Sequence, residues 1–189
     1  NLTVNGSLSG NIHLEDGSKC AFNGFIAGEN ISFTPYKNCT IEYMGATDGE
    51  ITSIQKLENL ENEVEVTIKS EKSIVTINQG LDNEKYSFIL DGKVNLGNSS
   101  SNQVYKIKSI TCNENSTIGL NSTISVSDNF TNNGTVTQTG TLTIKGNFAS
   151  GNSSSTYASV TLAPTINEVT VFGFGQITKL TTSNAGGKT

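Results

Sequence analysis

Arginine and tryptophan are missing from the 189 residues, histidine and methionine occur once each, and proline occurs twice. Without arginine the cations are 12 scattered lysines, outnumbered by 17 carboxylates for a net charge of -5. A nucleic acid or an anionic membrane surface demands a clustered basic face, so neither is expected as a partner. A lone imidazole, His13, cannot build a histidine-based metal site. Three cysteines, Cys20, Cys39 and Cys112, are too few for a disulfide scaffold and lack the paired spacing of a zinc site. Their odd number leaves at least one thiol unpaired within the chain. No metal and no other cofactor is expected. No apolar run approaches the roughly 18 to 20 residues that cross a bilayer, so membrane insertion is not expected either.

Charge itself is scarce, at 15% of residues against a usual quarter. Asparagine, serine, threonine and glycine supply the polarity instead, a surface that suits an extracellular or cell-surface location. The length is that of one domain. A start at Asn1 rather than Met, and a turn-like ending from Asn184 to Thr189, read as a piece of a longer protein.

Apolar and polar residues alternate in short runs: Leu2 and Val4; Ile12 and Leu14; Val64, Val66 and Ile68; Ile124 and Val126; Leu142 and Ile144; Val169 and Val171. Period two, rich in Thr, Val and Ile and punctuated by Gly, Asn and Ser, predicts strands. Only Ile54, Leu57 and Leu60, three apart, suggest a turn or two of helix between Ile54 and Glu63.

The runs also repeat. At an offset of 18, Leu2, Val4, Asn5, Gly6, Leu8 and Gly10 fall on Cys20, Phe22, Asn23, Gly24, Ile26 and Gly28, and Ile124, Val126, Asn129 and Phe130 fall on Leu142, Ile144, Asn147 and Phe148. An offset of 19 carries Cys20 and Phe22 onto Cys39 and Ile41. A unit of about 18–20 residues holding two or three short strands is one coil of a parallel β-helix, whose inward side chains are buried only by stacking. The expected fold is therefore all-β, a single-stranded right-handed parallel β-helix of roughly nine or ten coils over residues 1–189, with coils about 4.8 Å apart. The alternative is a β-sandwich, which shares the alternation but has no reason to keep the offset. Asn5 and Asn23, each before glycine, are expected at turns. Residues 36–92 hold most of the acids and are expected to be less regular coils or an insertion, and a place for recognition.

Several constellations bear on chemistry. His13, between Ile12 and Leu14, faces outward, with no nucleophile near it in sequence. The candidate carboxylates for paired glycan cleavage are Glu15, Asp16, Asp48, Glu50, Asp82, Glu84, Asp91 and Asp128, but Asp16, Asp48 and Asp91 each precede glycine, as tight turns require. No enzyme is expected. Gly187-Lys188-Thr189 ends like a phosphate loop, but Thr182 stands where that motif needs glycine. Cys20 and Cys39, one apparent coil apart, are a candidate disulfide or, equally, two small residues of a buried ladder. Cys112 is expected to be buried. Asn-x-Ser/Thr recurs, at Asn38, Asn121, Asn129 and Asn133 among others, at a frequency the composition explains, although such sites accept glycans in secreted eukaryotic proteins. Among the aromatics, Tyr36 and Tyr43, beside the irregular region, are the candidate exposed platform for a sugar.

The stretch Asp128-Asn-Phe-Thr-Asn-Asn-Gly134-Thr-Val-Thr-Gln-Thr-Gly140-Thr-Leu-Thr-Ile-Lys-Gly146-Asn-Phe148 resembles the degenerate repeats of large bacterial surface and secreted β-helix adhesins of the filamentous haemagglutinin-like kind, and Leu2 to Gly10 is similar. The likeness lies in turn and strand composition over half the chain, and no Asn-Pro-Asn-Gly secretion motif accompanies it. It implies export and attachment to a host surface protein, a glycan or neighbouring cells. A carbohydrate-binding or phage-fibre-like module, and a polysaccharide-cleaving β-helix enzyme, stand as alternatives. Pectate-lyase enzymes share the architecture, but the arginine they use is absent here.

Overall fold

The computed structural model describes residues 1–26, 30–57, 60–98, 102–165, 170–173 and 175–183. Every strand pairing among them is parallel, and the strands stack as a right-handed β-solenoid of about eight turns with no helix. The solenoid has three faces. The first runs from Leu2–Leu8 through Ser18–Phe25, Cys39–Tyr43, the front halves of Val64–Ile77 and Tyr86–Leu96, then Ser109–Cys112, Phe130–Asn132, Phe148–Ser150 and Val171–Gly173. The second carries Gly49–Ile51, the rear halves of the two long strands, Thr117–Leu120, Thr135–Gln138, Thr156–Tyr157 and Gln176–Ile177. The third is split into a three-stranded sheet ending at Ser53–Ile54 and a five-stranded sheet beginning at Val104–Ile107, with only an Asp82–Lys106 bridge below the latter.

The alternation read from the sequence fills the interior. One axial column on the first face runs Leu2, Cys20, Ile41, Ile68, Leu90, Cys112, Asn132, Ser150 and Gly173, each paired in register with the next. A neighbouring column runs Cys39, Val66, Phe88, Ile110, Phe130, Phe148 and Val171. In it the rings of Phe130 and Phe148 stack with centroids 5.6 Å apart. Apolar burial of this kind contributes about 1.5 to 3 kcal/mol per large side chain, and only the stack provides it.

The first column changes character along the axis. Asn132, wholly buried, has the oxygens of Ser155, Tyr157 and Ser150 at 2.8, 3.0 and 3.2 Å from Nδ2, which carries only two hydrogens to donate. Its Oδ1 accepts no hydrogen bond from the described residues. This knot replaces the aliphatic filling of the earlier coils.

Coil length varies far more than the expected 18–20 residues. Leu2 pairs with Cys20 and Phe130 with Phe148, offsets of 18, but Cys20 pairs with Ile41, an offset of 21, and Ile41 with Ile68, an offset of 27. Longer coils make fewer turns than the nine or ten expected. The difference sits in corners and loops, because inward rungs tolerate no change of spacing. Asn5 and Asn23 are not at left-handed turns. They lie within Leu2–Leu8 and Ser18–Phe25 at a register shift, after which Leu8 pairs with Phe25 rather than Ile26. Gly28 and Val169 lie outside the described residues.

Residues 36–92 stack with the rest and include the longest strand, Val64–Ile77, which meets Tyr86–Leu96 in register. Both long strands turn the corner between the first two faces without ending, at a register shift between Ser70 and Val75. Gly92 takes that corner with φ +81, and a Cβ there would come 2.0 Å from the Ser70 carbonyl oxygen. The helix expected between Ile54 and Glu63 is absent from its described residues: Ile54 ends a strand and is buried, and Leu60 packs on the core, while Glu58 and Asn59 lie outside the description.

Candidate functional site

The residues predicted to bind separate cleanly. Tyr43 is 2% exposed, its ring against Phe22 and Phe25 and its hydroxyl donating to the Thr47 carbonyl at 2.7 Å. Strict alternation from Cys39 through Ile41 already directs it inward, so it is a core residue and not a platform. Tyr36 is exposed, and the fold brings it to His13 from one coil earlier, with Oη 2.9 Å from Nδ1. Asn11 Nδ2 lies 3.5 Å from His13 Nε2, and Thr34 donates to Asn11 Oδ1 at 3.0 Å. Outward-facing His13 is thus part of a small polar patch on the third face.

The candidate disulfide is corrected by the register. Cys20 pairs with Ile41, whereas Cys39 pairs with Ser18 on one side and Val66 on the other. All three thiols are free and buried. Burial pushes the Cys39 thiol up to about 12 and raises Cys20 and Cys112 as well, so none is poised as a nucleophile.

The candidate acids are dispersed. Asp82 pairs with Lys106 at 2.7 Å and Glu84 with Lys145 at 2.9 Å. Glu50 accepts from Asn78 Nδ2 at 2.7 Å, and Asp48 from the Ile74 amide at 2.8 Å. Asp16 and Asp91 precede Gly17 and Gly92, both at positive φ, as turns require. Gly49 instead starts a strand. Among the described residues no group of three or more His, Cys, Asp or Glu could hold a metal ion, and no helix is long and apolar enough to cross a membrane. Phe174 and Gly187 to Thr189 lie outside the described residues.

Asp128 alone of these acids lines a recess of about 510 Å³, a groove on the outer side of the first face. It is bordered by Asn38, Glu63, Glu65, Ser87, Lys108, Ser109, Thr111, Asp128, Asn129 and Thr131. That volume falls in the range of small-ligand sites. Its lining is hydroxyl, amide and charge, with Val64 the lone apolar contributor and no aromatic ring.

The groove has a structural origin. The residue before each member of the Cys39-to-Val171 column forms an outward polar column: Asn38, Glu65, Ser87, Ser109, Asn129, Asn147 and Thr170. Where asparagine occupies it, the amide oxygen accepts the next coil's backbone N–H: Asn38 from Glu65 at 2.9 Å, Asn129 from Asn147 at 3.0 Å and Asn147 from Thr170 at 2.7 Å. Between these rungs Glu65, Ser87 and Ser109 break the amide ladder, and Ser109 donates to Ser87 at 2.8 Å instead. Short hydroxyls there leave the groove open. Lys108 closes one border by an ion pair with Glu63. Glu65 and Asp128 have no ion pair among the described residues. From the sequence only the Asn129–Asn147 rung was visible, through its offset of 18. The broken rungs are 22 residues apart and escaped.

The fold and this groove define a β-solenoid protein with a polar recess along one face. No protein-family model, no curated protein and no solved structure matches the chain.

Proposed function

We propose that this chain is an extracellular or cell-surface attachment module, of the kind found in filamentous haemagglutinin-like adhesins, and that it holds a glycan of a host or neighbouring cell in the groove on its first face. The observation that carries the reading is the interrupted amide ladder: a stack that seals this edge with asparagine elsewhere substitutes Glu65, Ser87 and Ser109 where a recess of hydrogen-bonding groups results. The stack supplies rigidity, and the recess supplies specificity.

Binding rather than cleavage is favoured because Lys108 holds Glu63 in an ion pair and the two remaining acids of the groove stand far apart. Glu65 and Asn129, the neighbour of Asp128, are three rungs apart, on the order of 14 Å at the usual strand separation. Carboxylates that hydrolyse glycosidic bonds stand roughly 5 to 9.5 Å apart. Exposed Tyr36, with His13 and Asn11 beside it, supports a second carbohydrate contact on the third face.

The test is a glycan and matrix-protein array probed with the wild-type chain and with Ser109→Trp, which fills the groove from an outward position. Loss of glycan signal in the variant is the expected result. Unchanged binding would remove the groove from the mechanism, and new reducing ends on a bound polysaccharide would make the protein an enzyme.

A further inference from the structure

We infer that the groove selects a cationic glycan, an oligomer of unacetylated amino sugar; this rests on the groove being a glycan site. Three carboxylates, those of Glu63, Glu65 and Asp128, face one ammonium, that of Lys108. Lys108 is already engaged with Glu63, which leaves Glu65 and Asp128 as two anions without a partner among the described residues. Further along the same face Glu42, by contrast, lies between Lys19 and Lys69, and Lys69 also meets Glu71 at 2.8 Å.

A polyuronate would bring further carboxylates against Glu65 and Asp128 in a molecule whose net charge is already -5, and like charges at this range repel. An amine-bearing sugar places an ammonium where each anion lacks one. The hydroxyls of Ser87, Ser109, Thr111 and Thr131 line the same recess and can both donate to and accept from ring hydroxyls. No aromatic ring lines the recess, so recognition depends on hydrogen bonds and charge rather than stacking.

Geometry sets the ligand's length. Reaching from Glu65 to Asp128 means crossing three rungs, roughly 14 Å, which a single sugar does not span. Affinity therefore depends on chain length, with a monosaccharide occupying one anion only. Because the contacts lie at the surface, salt weakens them.

The experiment is titration calorimetry of the whole chain with three linear tetramers: glucosamine, N-acetylglucosamine and galacturonate. Glucosamine tetramer is expected to bind, to weaken with added salt, and to exceed glucosamine monomer. Replacing both anions, Glu65→Gln with Asp128→Asn, is expected to weaken it by about tenfold, two exposed charge contacts in the upper part of their usual range. Both substitutions keep size and face outward, and the circular dichroism of the variant checks the fold. Equal binding of the acetylated tetramer, or full binding by the double variant, overturns the inference. If the acetylated tetramer binds and Ser109→Trp abolishes it, the glycan-site reading stands while the charge selection falls. Absence of binding to every tetramer, together with a blank array, overturns both.

Discussion

Asn129 Oδ1 accepts the backbone N–H of Asn147 at 3.0 Å, and Asn147 Oδ1 in turn accepts that of Thr170 at 2.7 Å. One side chain thereby satisfies a backbone group one coil away, at the edge where the strands of the first face begin. Replacing Asn147 with alanine removes an acceptor and leaves a partly exposed amide to water. The expected cost is about 0.5 to 1.5 kcal/mol, read as a lower midpoint in urea with an unchanged slope. Asn147→Asp, which keeps the acceptor, is expected to recover most of it.

Interior rungs carry larger penalties. Ile68 is fully buried between Ile41 and Leu90, and Ile68→Ala is expected to cost about 2 to 5 kcal/mol because neighbouring coils fix the walls of the resulting cavity. Thr67→Ala, one residue away on the outer side, is expected to fall within about 0.5 kcal/mol. Equal effects from the two would contradict the assigned faces.

Gly92 tests the corner. Its positive φ and the Ser70 carbonyl 2.0 Å from a hypothetical Cβ act together, so Gly92→Ala is expected to destabilise by more than about 2 kcal/mol. Gly6, with nothing within 4 Å of its added Cβ and no positive φ, is the control, and Gly6→Ala is expected to be near neutral.

The thiols predict an alkaline limit. Burial holds the folded Cys39 near 12 against an ordinary 9.0, and Cys20 and Cys112 shift in the same direction. A raised folded value means the contribution is complete below the unfolded value and disappears as pH climbs through the folded one. Stability is expected to decline from about pH 9 towards 12, and more gently in Cys39→Val. Aromatic-disulfide reagents at neutral pH are expected to titrate all three thiols only after denaturation, and rapid modification of the native chain would contradict their burial.

The stacking was legible where consecutive coils kept one length. Leu2 to Cys20 and Phe130 to Phe148 share an offset of 18, and both pairs are true rungs. Cys20 and Cys39 were misaligned because the true offset is 21, and an equally apolar Ile41 lay two residues further on. Residues 36–92 read as irregular because the outer faces of Val64–Ile77 and Tyr86–Leu96 carry Glu65, Lys69, Glu71 and Asp91, while burial on the other side continues unbroken. Tyr36 was legible as an exposed ring, and Tyr43 was mistaken for one although its parity with Ile41 directs it inward. The groove was not legible. It is made by residues from five coils whose spacing follows loops of unequal length, and the register that joins them exists only in the folded stack.

The inward column that passes from Ile68 and Leu90 to Asn132, Ser150 and Gly173 also gives the rod a mechanical direction. A pulling force meets coils one at a time, since each holds only its neighbours. The coils of Asn132 and Ser150 add hydrogen bonds among side chains to the Phe130–Phe148 stack, and such bonds rupture over short displacements, while apolar contacts yield over longer ones. Under tension the rod is expected to extend coil by coil, and the groove, whose Asp128 and Thr131 border belongs to the coil of Asn132, loses that border as soon as this coil opens.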